Sequence, residues 1–154
     1  MPLHGSIPGA LVPTKEKFYD SPFCSGGAAA AALGGFHGCD VNTDDHLAYI
    51  NCCLPEDYHA LQEIELVFIA LATETPMTMV VITNYCSNGQ AYSTHNESVI
   101  KSINTTLNQL TELDLTDCVD VAALAAGDYI GVQVWRETGK NTDALIMGVR
   151  IKYV

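Results

Sequence analysis

AALAAGDYIGVQVWRE, Ala122–Glu137, changes character at Gly127-Asp128. The first half is rich in Ala and Leu, which favour helix. The second half alternates: Ile130, Val132 and Val134 fall on one face, Tyr129, Gly131 and Trp135 on the other. Period-two alternation of apolar residues is the signature of a half-buried strand. Ala122–Ala126 is therefore expected to be a short crossover, with Thr116 as its cap in LTDCVDVAALAAG and Gly127 as its stop. Asp128 reads as a corner residue rather than a catalytic acid. The strand beyond it has one face for a core. Tyr129 and Trp135 face the other way, where either a loop or a neighbouring subunit covers them.

The same period recurs on both sides of this stretch. HLAYINCCLP reads as a strand closed by Pro55. LQEIELVFIALA sets Ile64, Leu66 and Phe68 against Glu63 and Glu65, then turns apolar on both faces. MTMVVITNYC sets Met79, Val81 and Tyr85 against Thr78, Val80 and Ile82. ESVIKSINT is a weaker strand, and QLTELDLT alternates through Leu113 and Leu115. ALIMGVRIKYV aligns Leu145, Met147, Val149, Ile151 and Tyr153 opposite Arg150 and Lys152. ATETP, CSNGQ and TGKNTD supply the turns. About seven strands with short connections predict an all-β, antiparallel sandwich over residues 41–154. Residues 1–40 hold four of the six prolines and the tract CSGGAAAAALGGFHG. They are expected to form an extended N-terminal arm and loops, with at most a helical turn in AAAAALGG.

Composition narrows the function. The 154 residues are 48% hydrophobic and 16% charged, as in a single globular domain. Net charge is −11, and the seven Lys and Arg residues are scattered, so neither nucleic acid nor an anionic membrane is an expected partner. No apolar run reaches membrane-spanning length, and the first residues lack the pattern of a signal peptide. The expected setting is cytosolic synthesis, with any exit by assembly and lysis. Of the six cysteines, Cys52 and Cys53 are adjacent on a strand and point to opposite faces. Mostly reduced, packed thiols are expected, with Cys24–Cys39 the one pair singled out as able to bridge.

YINCCLPEDYHALQEIELVFIA (Tyr49–Ala70), LAAGDYIGVQVWRE and the terminal ALIMGVRIKYV together resemble a jelly-roll domain of phage and phage-like structural proteins. The late pattern is similar to trimeric jelly rolls of the tumour-necrosis-factor and complement globular-head type. The resemblance covers about residues 45–154. It implies an antiparallel jelly-roll sandwich that trimerises and decorates a virion, as a head decoration or cement protein or in the tail or fibres. It implies no catalytic residues. The partners it implies are two further copies of the chain and a major capsid protein or other virion protein, with the arm reaching onto neighbours. Tyr129, Trp135 and Tyr153 are the interface candidates. One alternative is a carbohydrate- or receptor-binding tail or fibre module, with Tyr85, Tyr92 and His95 as a glycan-contact loop and Asn88-Gly89 at a tip. Another is a subunit of an extracellular filament, where the arm completes the next subunit's sheet.

No cofactor is expected. Asp40, Asn42 and Asp44 have the alternating oxygen ligands of a calcium loop, but Asp45 stands where that loop needs Gly and Asn51 where it needs Glu. An Asx-rich turn before a strand is the expected reading. Cys24, His37, Cys39, Cys52 and Cys53 carry zinc-type donors without a Cys-x₂-Cys pair. His46, His59 and His95 lie outside any G-x-S-x-G or H-E-x-x-H setting, so a non-enzymatic role is expected. Asn96 and Asn104 head glycosylation sequons and read as strand and loop polars.

Overall fold

The computed structural model describes residues 13–154. Eleven strands form: β1 (Lys15–Tyr19), β2 (Phe23–Ser25), β3 (Ala29–Leu33), β4 (Phe36–Val41), β5 (Leu47–Cys53), β6 (Leu61–Ala70), β7 (Met77–Cys86), β8 (His95–Ile103), β9 (Leu110–Asp114), β10 (Tyr129–Trp135) and β11 (Ala144–Tyr153). One sheet, here sheet A, runs β3-β4-β11-β6-β9 with β1 also on β11. Sheet B runs β2-β5-β10-β7-β8. All neighbours are antiparallel. From β4 onward the chain crosses between sheets at nearly every connection, giving β4-β11-β6-β9 against β5-β10-β7-β8. That interleaving is a jelly-roll sandwich.

The predicted alternations build its core. Ile64, Leu66 and Phe68 from β6, Met77, Met79, Val81 and Tyr85 from β7, and Ile130, Val132 and Val134 from β10 are buried between the sheets. Each fully buried side chain of this size contributes about 1.5–3 kcal/mol relative to exposure. The residues expected to alternate outward on β6 and β11 meet as a charge ladder. Lys152 Nζ lies 2.5 Å from Glu63, and Arg150 contacts Glu65 and, at 2.6 Å, Glu112.

β11 departs from its predicted pattern. A register shift falls between Ile146 and Gly148. Ala144 and Ile146, then Val149, Ile151 and Tyr153, join the central core, while Leu145 and Met147 pack with Val67 and Ile69 on the outer face. A bulge adds one residue and so exchanges the faces beyond it. It also lets two strands share one edge of β11. β4 pairs with 144–146 and β1 with 149–153. A side chain at Gly148 would strike the carbonyl of Tyr19 where β1 comes in.

The expected boundary at residue 40 falls inside β4. Residues 15–41 contribute four strands to the two sheets, and Ala29–Leu33 is an edge strand rather than a helical turn. The alanines pair with β4 because a Gly34-Gly35 turn, with Gly34 at φ 59°, folds the chain back. β1 completes its own chain's sheet. The remainder of the expected arm, residues 1–12, lies outside the described residues. The expected crossover helix is two 3₁₀ turns, Thr116–Cys118 and Val121–Ala123. Asp120, not Thr116, caps the second, accepting from Ala122 N at 3.1 Å. Thr116 instead donates its hydroxyl to Asp114 at 2.6 Å.

Cys24 on β2 and Cys39 on β4 form a disulfide with Cα atoms 5.6 Å apart. It ties sheet B to sheet A. Cys52, Cys53, Cys86 and Cys118 are free.

Two outcomes follow from this packing. Gly148→Ala is expected to lower unfolding stability by about 1–3 kcal/mol, read as a lower denaturant midpoint at unchanged slope. Reduction of Cys24–Cys39, which span 15 residues of sequence, is expected to cost about 3 kcal/mol, read from melting with and without reductant.

Candidate functional site

The outward positions of sheet B form the site. Successive residues of a strand face opposite sides, so each core residue fixes the direction of its neighbour. Antiparallel register then stacks the outward side chains into rows. One row is Cys53, Tyr129 and Cys86; the next is Asn51, Gly131, Asn84 and Asn96; the third is Phe23, Tyr49, Gln133, Ile82 and Ser98. A groove of about 400 Å³ lies across these rows, lined by Tyr49, Asn51, Asn84, Cys86, Tyr92, Tyr129, Gly131 and Gln133.

Aromatic rings stand around it. Tyr129 is 57% exposed, Tyr92 78%, Phe23 68% and Tyr49 37%. Phe23 and Tyr49 pair with their rings tilted by 48° and their centroids 6.3 Å apart. Tyr92 is delivered by the loop between β7 and β8. Gly89 at φ 86° turns that loop, and Thr94 closes it with Oγ1 and N both donating to Ala91 O, at 2.7 and 3.0 Å. Amides fill the centre. Asn84 Oδ1 accepts from Asn96 Nδ2 at 3.3 Å, which leaves the two Nδ2 hydrogens of Asn84 to serve a ligand.

None of the outward positions of the five strands of sheet B is charged. The charged residues of β8, Glu97 and Lys101, face inward, and Lys101 pairs with Asp117 at 2.7 Å. In a chain of net charge −11, a whole neutral sheet face is a marked segregation.

Asp128 sets this face in register. It is 3% exposed and accepts from Ser87 Oγ at 2.6 Å and Ala125 N at 2.9 Å. Its carbonyl accepts from Leu54 N at 2.8 Å, while Gly127 N donates to Leu54 O at 3.0 Å. The corner expected from Gly127-Asp128 is present, with Gly127 at φ 79°.

The residues singled out from sequence divide. Tyr92 and Tyr129 meet at the groove. Trp135 shares their face farther along β10, half-buried, with its indole Nε1 enclosed and unpartnered among the described residues. Tyr153 is covered by its own chain, beside Tyr58 and with its hydroxyl 3.3 Å from Asp57, so it offers little surface to a second subunit. Tyr85 is not a loop contact. It lies on β7, 1% exposed, its ring stacked 4.8 Å from His95 and its hydroxyl accepting from Asp120 N. His95 opens β8 and faces that ring rather than the solvent-exposed tip.

Asp40 lies in β4, paired with Ala29 and Leu145, while Asn42 and Asp44 lie in the turn that follows, which Arg136 holds. Its guanidinium donates to the carbonyls of Asn42 and Thr142 and lies 3.5 Å from Asp44. Cys24 and Cys39 are spent in the disulfide, and Cys52 and Cys53 point to opposite faces. Among the described residues, no three His, Cys, Asp or Glu side chains are grouped to hold a metal.

Phe23, Tyr49, Asn51, Asn84, Gly131 and Gln133 were not singled out from sequence. The alternation of LAYINCC carries the signal for Tyr49 and Asn51, which fall opposite Ala48, Ile50 and Cys52. Phe23 gave none, because nothing local shows that it pairs with Tyr49.

No family model and no curated protein sequence matches the chain. Solved structures do, at the level of fold. A family 35 carbohydrate-binding module from Clostridium thermocellum superposes with TM-score 0.52 and 11% identity, over 90% of this chain and 98% of that one. An Arthrobacter globiformis isomalto-dextranase complexed with panose gives 0.53 and 14%, over 90% of this chain and 23% of the enzyme. The exo-β-1,3-galactanase of Phanerochaete chrysosporium, bound to β-1,3-galactotriose, gives 0.51 and 13%, over 90% and 29%. The chain is thus similar to nearly a whole module but to less than a third of either enzyme chain. These likenesses confirm the jelly-roll sandwich.

Thiol chemistry reports on the site's geometry. Burial pushes the thiols of Cys52 and Cys118 up to about 12, so neither forms appreciable thiolate at mild pH. Cys53 and Cys86 are half-buried on the outer face, Cys86 in the groove. At about pH 8 a small alkylating reagent is expected to label Cys53 and Cys86 in the folded protein, and Cys52 and Cys118 only after unfolding, as read by peptide mass spectrometry.

Proposed function

We propose that the chain is a non-catalytic carbohydrate-binding module whose saccharide lies in the sheet B groove. The observation that carries this reading is the composition of that face: exposed aromatic rings around uncharged amides, with no charged outward side chain on the five strands. A sugar ring offers polarised C–H groups on its faces and hydroxyls on its rim. The negative face of an aromatic ring complements the former. Asn and Gln amides each donate and accept, as a hydroxyl does. An open groove with a few placed polar groups among apolar walls is the usual form of a small-molecule site.

The Clostridium thermocellum protein that the chain matches over most of its length is itself described as a carbohydrate-binding module, in agreement at the level of fold. The head-decoration and trimer reading rests on the jelly roll alone, a fold that hosts many functions. The neutral aromatic groove supports the saccharide alternative over it. A module of this kind adds no chemistry of its own. It holds a glycan to whatever the chain is joined to or assembled with, and raises the local concentration there.

Binding to an array of neutral and acidic glycans, followed by calorimetry on the best neutral oligosaccharide, tests the reading. Tyr129→Ala and Tyr49→Ala are each expected to weaken binding about tenfold or more, on the order of 1.4 kcal/mol, with little change in melting temperature. A chain that binds no glycan, or variants that bind as the parent does, would overturn it. The same oligosaccharide is expected to slow alkylation of Cys86 while leaving Cys53, which does not line the groove, unchanged.

A further inference from the structure

Gly131 occupies the centre of β10, directly between Asn51 on β5 and Asn84 on β7. The fold gives no reason for glycine there. Its φ is not among the left-handed ones. A methyl group built on it would meet only the Asn84 carbonyl, at 3.8 Å, an ordinary contact. Gly38 and Gly148 differ, because a Cβ at either would strike a backbone carbonyl. Glycine inside a strand weakens it, and where packing does not demand it the remaining cause is close approach by something else. The neighbours make the vacancy a hollow. Along the strand it is bounded by Tyr129 and Gln133, and across the sheet by Asn51 and Asn84.

We infer that this hollow is the anchoring subsite of the groove and takes one uncharged sugar ring, with Gly131 as the specificity-determining floor. The inference rests on the saccharide reading of the same face. The ring lies over Gly131, where any side chain would occupy its place. The amides of Asn51, Asn84 and Gln133 reach its rim hydroxyls, Asn84 as a donor because Asn96 holds its oxygen. Tyr129 covers one side. Uronates and sulfated sugars are disfavoured, because among the described residues no cationic side chain lines the groove and the protein carries net charge −11.

The test compares Gly131→Ala and Gly131→Val with the parent chain. The probes are neutral gluco-, galacto- and manno-oligosaccharides, with polygalacturonate as the anionic one. Melting temperatures of both variants are expected to equal or exceed the parent's. Affinity for the best neutral probe is expected to fall severalfold in Gly131→Ala and at least about tenfold in Gly131→Val. Equal affinity in both variants, with the parent binding, would overturn the subsite and leave the module reading standing. Preference of the parent for polygalacturonate would overturn the ligand class. Lowered melting temperatures in both variants would show the glycine to be structural and overturn its assigned role. A parent that binds no probe would remove the saccharide reading and the subsite together. Intact binding by Asn96→Ala with a changed preference among neutral probes would support the assigned orientation of Asn84.

Discussion

The site depends on the register of one strand. β10 is central in sheet B, with β5 on one side and β7 on the other, and a slip of one residue would exchange its faces. Tyr129, Gly131 and Gln133 would then enter the core, and Ile130, Val132 and Val134 would face water. Both ends are pinned. Before the strand, Asp128 accepts from Ser87 and Ala125 while its backbone holds Leu54. After it, Arg136 N donates to His46 O at 3.2 Å, and the Arg136 side chain clamps the carbonyls of Asn42 and Thr142. A buried carboxylate with two donors, and a guanidinium whose Nη1 serves two carbonyls while its Nε faces Asp44 at 3.5 Å, fix the two ends. Between them the apolar alternation enforces the same register over every residue.

The two outer faces of the sandwich answer the same alternation in different ways. On sheet A the outward set of β6 and β11 is a ladder of Glu63, Glu65, Arg150 and Lys152 at one end. Beyond the β11 bulge it becomes a small apolar cluster of Val67, Ile69, Leu145 and Met147. Burial raises the Glu65 carboxyl while Arg150 and the hydrogen bonds around it hold the charged pair together. On sheet B the outward set is neutral throughout. A cross-strand ion pair contributes up to about 1 kcal/mol, so sheet B forgoes a modest stabilisation that sheet A uses. What it gains is a surface free of strongly hydrated charges, on which uncharged, hydroxyl-rich ligands compete only with water.

Legibility in the sequence followed locality. The strands from β5 to β11 were readable because each carries its own alternation, and the Glu63/Glu65 and Arg150/Lys152 faces came with it. Gly127-Asp128 was readable as a corner for the same reason. The N-terminal strands were not, because Ala29–Leu33 has no alternation and is a strand only by pairing with β4. The β11 bulge was hidden as well. A period-two count carried Leu145 and Met147 onto the face of Val149 and Ile151, whereas the extra residue answers to β1 and β4 sharing one edge.

The candidate site shows the same division. Tyr129 and Tyr92 were visible as aromatics with no evident core role; the alternation of MTMVVITNYC already set Tyr85 with Met79 and Val81, against its reading as a loop contact, and the fold places it inside, stacked on His95. The chain by itself determined which residues of each strand share a face, because side-chain direction alternates within a strand whatever its partners. Only the tertiary structure decided which strands are neighbours. That choice set Asn51 and Asn84 on either side of Gly131, placed Phe23 against Tyr49, and gathered uncharged residues from five separate strands onto one face. Pairing depends on contacts between segments distant in sequence, and no local period encodes them.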